Sequence, residues 1–349
     1  MENYRKVLTV WYNHSKRELP WREGRDPYRI WVSEVILQQT RVLQGISYYD
    51  NFLKLFPDVR ALATAPEEEV LKVWQGLGYY SRARNMHHAA QTILTKHNGK
   101  FPTDYESIRQ LKGIGDYTAA AIASIAFNLP HAAVDGNVFR VLSRLFGIST
   151  PIDSAEGKKE FTALAMELLD NEHPGEFNQA IMEFGAMQCL PAQPLCSACP
   201  LALQCHAYVN QAISSFPVKS KRVTQKERFL HFFFLHQDDR IILEKRTGKD
   251  IWRNMYQFPM IETSQPVSPE SLFSGTYWQE HFSQLNCSLE TVYPEKIHLL
   301  THQRLHIQFF SMSYQAQEVP ERWISVDLKA SDRYAVPKPI ESFLLELER

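Results

Sequence analysis

The stretch CLPAQPLCSACPLALQC, running from Cys189 to Cys205, holds four of the chain's five cysteines. Three prolines and no long apolar run lie between them, so the stretch reads as a loop, and a loop that gathers thiols needs something to hold it. The spacing is Cys189-x6-Cys196-x2-Cys199-x5-Cys205. Four thiolates this close suit a tetrahedral zinc ion or the corners of a cubane iron–sulfur cluster. A zinc ribbon sets two Cys-x2-Cys pairs across a longer segment, and only one such pair is present. The spacing therefore favours a [4Fe-4S] cluster over zinc, and either over unligated thiols. Cys287 stands apart and reads as a small buried apolar residue.

The rest of the composition frames that loop. At 349 residues the chain has room for two domains, each with its own core. It is 44% hydrophobic and 22% charged, as soluble globular proteins are. The N-terminal MENYRKVLTVWYNHSKRELPWRE has no apolar signal-peptide region, and no segment approaches the roughly 20 apolar residues of a membrane span. The expectation is a cytoplasmic protein, where disulfides are rare and clustered thiols point to a metal centre. The formal net charge is −1, so any face for nucleic acid must be local.

Up to about residue 213 the apolar residues recur at three- and four-residue spacing, which predicts an all-α region of about ten short helices. DPYRIWVSEVILQQTRVLQGISYYDNFLKLF, AEGKKEFTALAMELLD and EFNQAIMEFGAMQ all read as amphipathic helix. A polar, basic linker follows over 214–225. RFLHFFFLH and RIILEKR flank Asp238-Asp239 as a β-hairpin, KIHLLTHQRLHIQFFSMSY favours strands, and PKPIESFLLELER a final helix. Residues 226–349 are thus predicted to form a separate α+β domain.

Three features carry chemistry. In LKGIGDYTAAAI, Gly113 and Gly115 bracket one apolar residue at a helix start, where outward backbone N–H groups suit a phosphate; a plain helix–helix turn is the simpler reading. Asp135 opens the next helix, where an aspartate is ordinarily a cap. Glu34 sits among Trp31, Val32, Val35, Ile36 and Leu37. A carboxylate on so apolar a helix must find a partner, such as Arg29 or Arg41, or carry a raised pKa, and a raised pKa suits a general acid.

A helix–hairpin–helix, an aspartate about twenty residues beyond it and this cysteine spacing together resemble the endonuclease III superfamily of DNA glycosylases. LPWRE, DPYRIWVSEVILQQTRV, VWQGLGYYSRARN, LKGIGDYTAAAI, VDGNVFRVLSRLFG and FNQAIMEFGAMQC look most like its MutY-type adenine glycosylases. The resemblance implies a [4Fe-4S] cluster on Cys189, Cys196, Cys199 and Cys205, and a NUDIX-like C-terminal domain. Residues 226–349 lack the G-x5-E-x7-R-E-x2-E-E box, so that domain is expected to bind and not hydrolyse. It further implies removal of adenine from 8-oxoguanine:A or G:A mispairs in double-stranded DNA by a monomer. Glu34 would protonate N7 of the flipped base and Asp135 stabilise the cationic sugar, with Tyr117 and Asn137 in support. Trp21, Arg22, Leu37 and Gln179 would form the adenine pocket, although Trp21 and Leu37 could as well be core. Gln39 and Tyr79 would enter the duplex beside the lesion, and Gly113 and Gly115 hold a phosphate. Leu300-Thr301-His302 stands where relatives carry Phe-Ser-His against 8-oxoguanine: the hydroxyl and imidazole of Thr301 and His302 remain, the aromatic does not. Lysine-dependent relatives cleave the strand from the slot occupied here by Tyr117, which cannot form a Schiff base. Base loss without strand cleavage is therefore expected. The alternatives are an endonuclease III-like glycosylase/lyase for oxidised pyrimidines and a non-catalytic DNA-binding iron–sulfur protein.

Overall fold

The computed structural model describes residues 1–220, 224–316 and 318–347. Two compact units emerge, Met1–Ala65 with Arg84–Arg222, and Pro66–Ala83 with Val223–Arg349.

The first unit is helical, as the periodicity predicts. Its main elements are α1 (Glu2–Ser15), α2 (Pro27–Leu37), α3 (Val42–Leu55), α4 (Tyr105–Arg109), α5 (Asp116–Phe127), α6 (Gly136–Phe146), α7 (Ala155–Leu168) and α8 (Pro174–Met187). Helix starts follow local chemistry. Asp26 caps α2 by accepting from the Tyr28 N–H, with Pro27 in the first turn, and Ser154 caps α7. Leu8 of α1, Val141 and Leu145 of α6, Phe161 of α7 and Phe184 of α8 meet in one core, against which Cys189, Cys199 and Cys205 also pack.

One element departs from expectation. The apolar stripe from Pro27 to Leu55 does not run as one helix: it breaks at Gln38–Arg41, and Gln39 adopts φ +59°. A left-handed amide residue inside a helical pattern costs backbone energy that periodicity cannot register, and such breaks gather at functional sites.

The second unit is built on an eight-stranded sheet. Its strands are β1 (Lys226–Gln237), β2 (Arg240–Lys245), β3 (Tyr256–Gln257), β4 (Met260–Thr263), β5 (Ser288–Val292), β6 (Lys296–Leu299), β7 (Gln303–Ser313) and β8 (Trp323–Asp327). The expected hairpin forms about Asp238-Asp239, with His236 opposite Ile241. β1 also pairs in parallel with β7, from Lys226–Gln303 to His236–Ser313. That pairing explains why Arg228–Leu235 is a continuous buried run and not an alternating one. The final helix, Lys338–Leu347, lays Phe343 on Phe309 with ring centroids 4.3 Å apart.

Pro66–Ala83 groups with the second unit. Side-chain bonds account for this: Gln75 Nε2 donates to Glu341 Oε1 at 2.8 Å, and Lys245 Nζ to Glu68 Oε1 at 2.6 Å. The linker is anchored where it is described. Ser220 donates twice to Asp153, and the Lys226 N–H donates to the His302 carbonyl. Lys221 and Arg222 lie outside the described residues. Arg228, near the start of β1, is buried between Asp250 and Glu262, at 2.7 and 2.6 Å.

Candidate active site

Within the first unit, one cavity of about 680 Å³ gathers Trp21, Arg22, Glu34, Leu37, Gln39, Tyr117, Asp135, Asn137 and Gln179. Residues expected from five separate stretches of sequence thus line a single space. Trp21 is 9% exposed, stands edge-on to Tyr49 and lines the cavity.

Glu34 comes from α2, and its partner is not an arginine of its own helix. The Tyr117 hydroxyl, from the second residue of α5, donates to Glu34 Oε2 at 2.5 Å. The sulfur of Met182 lies 3.4 Å from the same hydroxyl. Burial pushes the Glu34 carboxyl up to about 7, Tyr117 and Arg22 pull the other way, and nearby Asp135 adds to the rise. Tyr117 is raised well above its usual range, first by burial and then by the two carboxylates, so it stays a neutral donor.

Asp135 is a cap and more. Its Oδ1 accepts from the N–H groups of Asn137 and Val138 at 2.9 and 2.8 Å, as an N-cap requires. Its Oδ2 accepts from Asn137 Nδ2 at 2.7 Å. Burial raises this carboxyl, and those three donors restrain the rise. Asn137 is fixed in turn by Arg140, which donates to Asn137 Oδ1 at 2.8 Å and to the Cys189 carbonyl at 2.7 Å. A continuous hydrogen-bonded path therefore links the start of the cysteine loop to Asp135.

Sequence reading missed Arg17, Met182 and Glu183, which also line the cavity. Glu183 is 2% exposed and binds Arg17 and Arg22 at 2.7 and 2.8 Å. The signal was available, since Glu183 lies between Met182 and Phe184 on an apolar helix, as Glu34 does on α2. Arg22 is accordingly no free surface charge.

Gly113 and Gly115 do not line this cavity; they form the exposed turn between α4 and α5. Gly113 has φ +84°, and an added Cβ there would meet Asn85 Cβ at 2.6 Å, so only glycine fits. Gly115 caps α5 with open space around it. Tyr79, Thr301 and His302 belong to the second unit. Tyr79 is 45% exposed, takes φ +45° and meets the Thr301 hydroxyl through its own. Thr301 and His302 form the exposed tip between β6 and β7, closed by the Leu300 N–H donating to the Gln303 carbonyl.

Cys189, Cys196, Cys199 and Cys205 line one pocket with Val141, Arg144, Leu145 and Phe184, and none forms a disulfide. Among the described residues no three His, Cys, Asp or Glu side chains converge as a single metal ion requires. The four thiols share one apolar space.

Residues 32–170 match the HhH-GPD superfamily of base excision DNA repair proteins, and residues 231–346 match the NUDIX domain. Adenine DNA glycosylase of Buchnera aphidicola is 30% identical over 342 residues, covering 97% of this chain and 95% of that protein. The human adenine DNA glycosylase is 44% identical over 213 residues, covering 58% and 39% respectively. Among solved structures, a thermostable thymine-DNA glycosylase superposes with a TM-score of 0.56 at 29% identity, over 60% of this chain and 96% of that one. Likeness along nearly the whole length, with a repair domain and a NUDIX domain in that order, places the chain: it belongs to the adenine DNA glycosylase family, the base excision repair enzymes that this pair of domains defines.

Proposed function

We propose that this enzyme removes adenine paired with 8-oxoguanine or guanine in double-stranded DNA, leaving the strand intact. The observation that carries the reading is the Glu34–Tyr117–Asp135 arrangement in one cavity, with Glu34 held at about 7. Adenine leaves poorly from its sugar unless the ring is protonated, and it must be unstacked to be reached. Glu34 delivers the proton to N7. As the C–N bond lengthens, positive charge grows on the sugar, and Asp135, held by Asn137 and two backbone N–H groups, meets that charge. Glu34, now ionised, takes a proton from the incoming water, which restores the acid. Trp21, Leu37, Arg22 and Gln179 frame the base. Tyr117 donates to Glu34 and, unlike lysine, offers no amine to form a Schiff base, so β-elimination is not driven.

Gln39 and Tyr79, both held at positive φ, are the residues that enter the duplex. Gly113 and Gly115 present N–H groups to a phosphate, and Thr301 with His302 meets the 8-oxoguanine. Cys189, Cys196, Cys199 and Cys205 would hold a [4Fe-4S] cluster, which would shape the loop that Arg140 ties to Asn137. The test is Glu34→Gln, which is expected to abolish adenine release while sparing binding to the mispair. Unchanged turnover would discard the acid assignment.

A further inference from the structure

Glu183 is the buried charge at this cavity to which the reaction assigns no part. Its carboxylate accepts from Arg17 Nε and Nη2, both at 2.7 Å, and from Arg22 Nη1 and Nη2, at 3.2 and 2.8 Å. The Arg17 backbone N–H adds a fifth bond at 3.1 Å. Arg22 is pinned further by donating to the Arg17 carbonyl at 2.8 Å and by lying over the Tyr12 ring, 5.5 Å from its centroid. One carboxylate therefore binds two guanidinium groups on the cavity wall, and both arginines lose their freedom to turn.

The charged groups around Glu34 show what this clamp does. Tyr117 faces it from α5, Asp135 from the start of α6 and Arg22 from the turn after α1; Arg17 and Glu183 complete the charged lining. A bare arginine near a general acid favours the ionised carboxylate and so disarms it. A carboxylate bound to that arginine cancels much of the effect. Glu183 can serve in this way because it stays ionised: burial alone would raise its carboxyl, but Arg17 and Arg22 outweigh burial and hold it at about 2.

We propose that Glu183 is a positioning residue that sets the plane of Arg22 against the flipped base and neutralises it, so that Glu34 keeps the proton it delivers. This rests on the reading of Glu34 as the acid.

The test is single-turnover adenine release by the full-length protein from an 8-oxoguanine:A duplex, followed from about pH 5.5 to 9. Glu183→Gln is expected to slow release about tenfold near neutrality and to move the alkaline limb down by about one pH unit. The double variant Arg22→Gln with Glu183→Gln is expected to stay slow while its limb returns to the wild-type position, because Arg22, the cation that acts on Glu34, is gone. Glu183→Asp, which keeps the charge but shortens the reach, gives a smaller shift in the same direction and serves if Glu183→Gln does not fold. An alkaline limb at the wild-type pH in whichever single variant folds would overturn the proposal. Glu34→Gln is run alongside: retained turnover there would overturn the acid reading itself, whereas a dead Glu34→Gln with an unshifted Glu183 variant overturns only the clamp.

Discussion

Glu34 combines a need for burial with a need for charge, and both leave measurable traces. As the proposed proton donor it must enter the reaction protonated, so release of adenine should fall about tenfold per pH unit once pH exceeds about 7. A flat profile from about pH 6 to 9 would contradict this. The same burial acts on stability. The folded carboxyl holds its proton more tightly than the unfolded one, whose ordinary value is 4.5. Stability is thus fully present below about pH 4.5 and is lost as pH rises through about 7. Glu34→Gln removes that penalty while keeping an acceptor for Tyr117. We expect it to be more stable than wild type at about pH 8, by up to about 3 kcal/mol, with the gain vanishing in acid. Denaturant unfolding at the two pH values checks it; an equal gain at both would point to packing and not to ionisation.

Elements place these residues through close contact. An added Cβ at Gly185 of α8 would meet Asn137 Cβ at 2.6 Å and its carbonyl oxygen at 3.0 Å. Gly185→Ala must therefore shift α6 at the point where Asn137 holds Asp135. Adenine release is expected to slow at least about tenfold, at a stability cost of about 1–3 kcal/mol. Single-turnover rates together with thermal melts separate the two effects, and an unchanged rate would remove Asn137 from the mechanism. Much of this was legible in advance. Helical periodicity marked the first unit, two β-rich runs about an acidic pair marked the β1–β2 hairpin, and a carboxylate among apolar neighbours marked Glu34. The break at Gln38–Arg41 was not legible, because a left-handed residue leaves the apolar spacing intact. Glu183 carried the same local signal as Glu34, but its partners, 161 and 166 residues away in sequence, carried none. The parallel β1–β7 pairing was hidden for a similar reason, since its strands are separated by most of the second unit.

In the proposed function, chemistry belongs to the first unit and recognition of the opposing base to the second. Thr301→Ala with His302→Ala should therefore leave adenine release from G:A duplexes near the wild-type rate and reduce the preference for 8-oxoguanine:A severalfold. Equal loss on both duplexes would instead make the tip a general DNA contact. The two partners of Arg228 are each about a third exposed, so Arg228→Met should cost about 2 kcal/mol, below the value for a fully buried pair. The proposed reaction is base excision with Glu34 as the acid and no strand cleavage, Tyr117 standing where lysine-dependent relatives carry their nucleophile. It is tested most directly by single-turnover adenine release from 8-oxoguanine:A and G:A duplexes, each read with and without alkali. Release is expected from both, faster opposite 8-oxoguanine, with breaks appearing only after alkali. Strand breaks without alkali, or nicking of oxidised-pyrimidine duplexes with no adenine released, would contradict it.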